Sequence, residues 1–325
     1  MNQPHQAGHR ARERETPDGV GASSAELART KRTVLFAFSG APRASDGLQR
    51  ACDLARAMDT ELHVLQVLPA RSPIDPLSPL LELIDARRLE RRRTARDRFA
   101  AGPELSGACE RRGRVQVRTG LFVKHVADHA AALHPALIMV PPRKHGLGSI
   151  VTTLTRTANV PVLVLRESRS ERAIVAATDL EDAEYSVLRA AAELGNQLHW
   201  RVIPFHNVTP ISMPVSVETL SPITILTGSA EAENRQIRLA RASRQLQIDA
   251  PAVTASEVNP VDAILRIAQT KDAGMVVVGA RPRSWFGHLI ARGVAAQVVN
   301  CAQRSVLVTP LATPRSAPAA PLAEC

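Results

Sequence analysis

Aromatic side chains are nearly missing: Phe, Trp and Tyr together make up 3% of the 325 residues. The core must therefore be built from Leu, Val, Ile and Ala. Long apolar runs are also absent, and none approaches the ~20 residues needed to cross a bilayer. The opening stretch, MNQPHQAGHRARERE, carries charge with no apolar segment behind it, unlike a secretory leader. Cys52, Cys109, Cys301 and Cys325 show no CxxC spacing. That argues against a disulfide framework and a zinc site and fits a reducing cytoplasm. Lysine is rare, so the formal charge of +10 is carried by arginine. Such a balance permits contacts with anions or nucleic acid without establishing them.

Signatures of catalysis are missing as well. The chain has no G-x-S-x-G elbow, no G-x-x-x-x-G-K-Ser/Thr loop, and no G-x-G-x-x-G after a first strand. Ser39-Gly40 sits where a nucleophile would, but no base can be assigned to it. An enzyme is not expected, with slow nucleotide hydrolysis the one version left open.

What the chain does contain is a repeated alternation of short apolar runs and amphipathic helices. The first copy reads as strands at 34–38, 62–68, 115–118, 137–140 and 162–165. Helices are expected at 45–58, 80–99, 122–133 and 150–157. The second copy reads as strands at 174–179, 198–205, 252–253, 275–278 and 306–308, with helices at 183–194, 230–246, 261–270 and 290–301. Residues 207–222 read as irregular. Short unbroken apolar runs linked by helices predict parallel strands buried on both faces, joined by right-handed crossovers.

Spacing supports a duplication. Ser39 and Asp179 are 140 residues apart, Pro141 and Gly279 are 138 apart, and the runs ELHVLQV and QLHWRVI are 136 apart. The expectation is two α/β domains at 32–166 and 172–310, flanked by disordered tails at 1–31 and 311–325.

The order of elements, the Asp after strand one of the second copy, the small-residue turn after strand four and the closing PVLVL and SVLV runs resemble the universal stress protein family in its tandem form. That resemblance covers about 280 residues. It implies two tandem doubly wound five-stranded parallel-sheet domains, of the universal-stress, adenine nucleotide α-hydrolase-like kind. It also implies an intramolecular pseudo-dimer, with the closing strands of the copies facing each other. Further homodimerisation and an unidentified protein partner stay open.

ATP-binding members of the family use the strand-one Asp and a G-x2-G-x9-G-Ser/Thr loop. By this resemblance ATP or another adenine nucleotide would be held in the second domain by Ala177, Asp179, Gly279, Arg281, Arg283, Arg292, Gly293 and Val294. The match is eroded there: Pro282 stands at the second glycine, Arg292 at the third, and Gly293 at the Ser/Thr. Proline removes an N–H and fixes φ, and a long side chain fills space that a phosphate loop keeps open. Arginines at 281, 283 and 292 would instead meet phosphate through their guanidinium groups. In the first domain Ser39 replaces the acid and Pro141 the first glycine. The loop is about six residues shorter and retains Gly146, Gly148 and Ser149. Gly120 matches the family's glycine after strand three, and Val258 replaces it in the second copy. Asp179 would bond an adenosine group or cap the helix just beyond it.

Three further features bear on function. His63 and His199 read as equivalent strand-two positions with a structural role. His125 and His129 are spaced i, i+4 and read as partly exposed surface residues rather than a metal pair, and His145 and His288 lie in the strand-four loops. Arg87, Arg88, Arg91, Arg92, Arg93, Arg96 and Arg98 ring a helix with Glu90 and Asp97 among them. A solvated helix is favoured there over a nucleic-acid patch, since no aromatic interleaving supports base contacts. The preferred function is a non-enzymatic cytoplasmic stress-response protein that acts through protein contacts or ligand sensing. An ATP-binding regulator using the second domain is the alternative, and a nucleic-acid binder is third.

Overall fold

Ten of the apolar runs line up in one sheet. The computed structural model describes residues 32–39, 44–68, 115–143, 146–167, 171–209, 211–213, 223–225, 229–281 and 293–311. In the first half these are β1 (Thr33–Phe38), α1 (Ala44–Ala57), β2 (Glu61–Leu68), β3 (Val115–Thr119), α2 (Phe122–Leu133), β4 (Leu137–Val140), α3 (Leu147–Ala158) and β5 (Val162–Val164). The second half begins with β6 (Glu171–Ala177), α4 (Ser186–Leu198), β7 (Arg201–Asn207) and a hairpin, β8 (Ile211–Met213) with β9 (Ile223–Ile225). It continues with α5 (Ser229–Gln245), β10 (Val253–Ala255), α6 (Pro260–Thr270), β11 (Ala273–Ala280), α7 (Val294–Cys301) and β12 (Ser305–Pro310).

The sheet order is β10-β7-β6-β11-β12-β5-β4-β1-β2-β3. All neighbours within each set of five are parallel. The inner strands of such a sheet must be apolar on both faces, as in β4, which is LIMV with every residue buried. Helices cover both sides. One face packs Val126, Ala130, Val151 and Leu154 of α2 and α3 with Ile264, Val298 and Val299 of α6 and α7. The other packs Leu48 and Ala51 of α1 with Leu188, Ala191 and Leu239 of α4 and α5.

The two sets of five are joined into one sheet by an antiparallel pair of their closing strands. Val162 faces Val308, Leu163 faces Leu307, and Val164 faces Val306. Because Leu163 and Leu307 occupy the same place in their copies, the pairing is self-complementary about that central pair. Each buried leucine contributes roughly 1.5–3 kcal/mol on area grounds. Arg166 ties the same seam: its N–H donates to Ser305 Oγ at 3.0 Å, and its Nη2 donates to the Val299 carbonyl at 2.6 Å. Burial lowers the Arg166 pKa, and the nearby Cys301 partly restores it.

Register corrects one sequence match. Leu35 lies beside His63 and Val175 beside Ile203, so strand two repeats at an offset of 140, not 136. His63 is in β2, whereas His199 ends α4 in the left-handed region with φ 55°. Its backbone N–H bonds the Gly195 carbonyl, and β7 begins two residues later. The shared Leu-His dipeptide is therefore coincidence. Within 207–222, read as irregular, the chain forms β8 of the antiparallel hairpin. The helix expected from 150 begins at Leu147, which places Gly148 and Ser149 in its first turn rather than in a loop.

Cysteine usage also departs from expectation. Cys52 is disulfide-bonded, while Cys301 is free and exposed. The expected tail at 1–31, the arginine-rich helix at 80–99 and all but Leu311 of the expected tail at 311–325 lie outside the described residues. Among the described residues no helix is long and apolar enough to cross a membrane.

Candidate functional site

Each half has one place where the strand order reverses. In the second half β6 lies between β7 and β11, and the chain leaves towards opposite edges on its two sides. β1, between β2 and β4, is the counterpart in the first half. Crevices at the carboxyl ends of such strands are where open α/β sheets take ligands.

At the second-half crevice Ala177 ends β6, in register with Phe205 and Val278. Asp179 follows. Its Oδ2 accepts from Arg281 Nε at 2.9 Å and Nη2 at 2.6 Å, and its Oδ1 accepts from the Glu181 N–H at 2.9 Å. Arg281 comes from the residue just after β11, so the pair bridges the crevice between the two strands. The side chains are 41% and 59% exposed, and such an ion pair is worth about 1 kcal/mol or less. Asp179 does not cap α4. Asp182 does that, with Oδ2 accepting from the Ser186 N–H at 2.7 Å.

The segment from Thr178 to Leu180 is held from two other elements. His206, buried at the end of β7, has Nδ1 2.8 Å from the Thr178 carbonyl, so the neutral ring donates there. Burial lowers the His206 pKa; the Thr178 bond and Asp179 oppose that, and Arg235 and Arg238 add to it. From α5, Arg238 Nη2 donates to the Leu180 carbonyl at 2.9 Å. Arg235 donates to Glu231 at 2.8 Å and Glu181 at 3.3 Å, and the Glu231 bond leads in raising its pKa.

Gly279 is not an open phosphate cradle. A Cβ there would lie 2.5–3.0 Å from the Leu311 side chain, just beyond β12. Gly293, by contrast, meets nothing within 4 Å among the described residues at the amino end of α7, and the exposed Val294 follows it. No hydrogen bond or ion pair links these two to Asp179 or Arg281 among the described residues. Pro282, Arg283 and Arg292 lie outside the described residues. Of the expected site residues, the structure therefore brings together Ala177, Asp179, Gly279 and Arg281.

The first-half crevice contains a pair that sequence reasoning missed. Arg143 Nη2 donates to Ser39 Oγ. Its guanidinium carbon stands 4.9 Å from the centre of the Phe122 ring. Burial lowers the Arg143 pKa. Leu137 matches Met275 in strand register, so Arg143 is the counterpart of Arg281 at an offset of 138. The alignment that matched Pro141 with Gly279 already contained that signal. Ser39 is engaged by a guanidinium, which cannot take its proton.

The other glycines of this half serve packing. A Cβ on Gly148 would lie 2.9 Å from Ala296 Cα in α7, and the Gly148 N–H donates to Asn300 Oδ1 at 2.9 Å. Gly120, at φ 145°, lies under His125, whose Nε2 would be 2.5 Å from a Cβ and is 3.1 Å from the Thr119 carbonyl. His125 and His129 thus have different surroundings: His125 is bonded to backbone, and His129 Nε2 is buried without a partner. Both residues are part-exposed, as the sequence reading has them. Among the described residues no group of three or more His, Cys, Asp or Glu side chains is placed to hold a metal. His145, His288 and the arginines at 87–98 lie outside the described residues.

The fold defines a class: tandem doubly wound α/β domains. The model of the universal stress protein family matches residues 31–166 and 171–310, and the chain belongs to that family. Among solved structures it is similar to a universal stress protein from Archaeoglobus fulgidus DSM 4304, at 13% identity and a TM-score of 0.59 over 85% of this chain and 98% of that one. A putative universal stress protein from Pseudomonas aeruginosa UCBPP-PA14 is 18% identical with a TM-score of 0.54, over 87% of this chain and 94% of that one. A functionally unknown protein from Pseudomonas aeruginosa PAO1 is also 18% identical, with a TM-score of 0.52 over 87% of this chain and 93% of that one. At these identities the likeness concerns fold. No curated protein matches the chain.

Proposed function

We propose that this chain is a non-enzymatic stress-response protein whose two universal stress domains act through protein contacts or ligand sensing, without ATP resident in the second half. The observation that carries this reading is the pairing of Asp179 with the chain's own Arg281. An acid that would meet a nucleotide is already neutralised, and Gly279 beside it is covered by Leu311. The halves are read as a covalent version of a dimer, with Leu163 and Leu307 at its pseudo-axis.

The exposure of the Asp179–Arg281 pair favours one alternative, an adenine nucleotide that displaces Arg281 from the acid. Calorimetric titration of the full chain with ATP separates the two. The first reading expects no saturable heat up to about 1 mM, where a ligand gains only about 4 kcal/mol. Saturable binding that Asp179→Ala abolishes would establish the alternative and remove the first reading. Gly279→Leu is a poor probe, since it would displace Leu311 whether or not a ligand binds.

A further inference from the structure

Among the described residues one large apolar side chain is exposed in the middle of a helix. Ile237 of α5 is 56% exposed, whereas the exposed Leu121, Val258 and Val294 stand at or just before the starts of α2, α6 and α7. α5 packs on β7 and β10, with Leu239 and Ala242 buried beneath it. Ile237 is two positions from Leu239, about 200° round the helix, and so lies on the opposite face.

Its neighbours on that outer face form a symmetric set. Glu233 is four residues before Ile237 and Arg241 four after, so the three make one row at i, i+4 and i+8. Both charged residues are exposed, and neither has a hydrogen bond or ion pair among the described residues. The other arginines of α5 are engaged within the chain. Arg235 is held by Glu231 and Glu181, Arg238 by the Leu180 carbonyl, and Arg244 Nε lies 3.4 Å from the Ala240 carbonyl. Glu233 and Arg241 cannot meet inside one helix, because eight residues are about 12 Å of rise and Ile237 fills the place between them.

A row that reads acid, apolar, base is complementary to itself when reversed. Laid antiparallel on a second α5, about a twofold axis at Ile237, it sets Ile237 against the Ile237 of the second copy. Glu233 then meets the Arg241 of the second copy, and Arg241 meets its Glu233. Such exchange of the same contacts is the condition for a closed, isologous dimer. The row suits other surfaces poorly. Glu233 would repel a phosphate backbone, and a single isoleucine is too little apolar surface to seat the helix on lipid.

We infer that the chain pairs with a second copy of itself through α5, the two helices antiparallel and crossing at Ile237. This contact is separate from the β5–β12 seam, which is used up within one chain. It rests on the protein-contact reading and names a partner for it. A chain that stays monomeric would remove this inference and leave the ATP titration untouched, so the two fail separately. One helix pair buries less than the roughly 1,200 Å² of a stable interface, so the dimer is weak, with a dissociation constant of about 0.1–1 mM.

Sedimentation equilibrium of the full chain over a concentration series tests this, at moderate salt to screen the net charge of +10. Wild type is expected to pass from monomer to dimer, and to nothing larger, as concentration rises. Ile237→Asp is expected to weaken the dimer by roughly tenfold or more. Glu233→Arg and Arg241→Glu each set like charges opposite one another and are expected to do the same. Combined, they restore a self-complementary row, and the double variant is expected to lie within about threefold of wild type. All three side chains are exposed, so the variants should fold, and a thermal melt checks this. A chain that is monomeric at about 1 mM, or a dimer that Ile237→Asp leaves unchanged, overturns the inference. Single reversals that the double reversal does not rescue also overturn it, as does a monomeric chain that binds an acidic helical peptide through Arg241.

Discussion

Gly148→Ala is expected to destabilise the protein by about 2–3 kcal/mol, although glycine to alanine inside a helix ordinarily stabilises by up to roughly 1 kcal/mol. The reversed sign comes from the contact between halves. Gly148 is in the first turn of α3, where a Cβ would lie 2.8 Å from the Ala296 carbonyl carbon and 2.9 Å from Ala296 Cα. These are backbone atoms of α7, so relief requires the two helices to separate rather than a side chain to rotate. Separation would stretch the 2.9 Å bond from the Gly148 N–H to Asn300 Oδ1 and loosen the β5–β12 seam beneath. A fall in melting temperature of about 5–10 °C is expected for a chain of this size. Gly293→Ala is the control, because a Cβ there meets nothing within 4 Å among the described residues. Asn300→Ala should give a smaller loss, about 1 kcal/mol, by removing the hydrogen bond alone. A melt in which Gly148→Ala equals or exceeds wild type would show that the halves do not pack at this distance.

The same glycine shows where sequence reading stops. Strands such as β4 and β5 were legible because a doubly buried parallel strand must be apolar throughout. The duplication was legible from Ser39 with Asp179 and from Pro141 with Gly279. A glycine's purpose was not, because its neighbour comes from a distant segment: Ala296 for Gly148, and Leu311 for Gly279. As part of a loop motif each looked like a remnant of a phosphate cradle. The Asp179–Arg281 pair was equally hidden, since its members are 102 residues apart and only the β6–β11 register brings them together. The Leu-His match misled for a simpler reason. In one copy it falls in a strand, and in the other it ends a helix.

Acid should destabilise the native protein through two histidines in different halves. His129 on α2 has a buried Nε2 without a partner, and its pKa is lowered chiefly by burial, then by His63 and Arg118. β2 contributes His63, itself 3.3 Å from Glu61, and β3 contributes Arg118, which donates to Gln116. α2 also carries Lys124, His125 and Asp128. At the matching places the second half has Ile203 and Ile267, which pack against its core. His206 is the second histidine, lowered chiefly by burial and buried behind Thr178.

The sign follows from linkage. Each folded pKa lies below the unfolded value of roughly 6.5, so protons bind the unfolded chain first. The stability contribution is whole above that value and is lost as pH falls through it towards the folded pKa. Urea unfolding midpoints are therefore expected to fall between about pH 7.5 and pH 5. His129→Ile, which installs the residue of the other copy, should flatten part of that fall while preserving the midpoint at neutral pH. His206→Gln, which likewise installs the residue that the first copy carries at the equivalent β2 position, Gln66, should flatten the remainder. An acid slope unchanged in the double variant would assign the effect to carboxylates instead, and would leave His129 as a packing residue that only replaces Ile267.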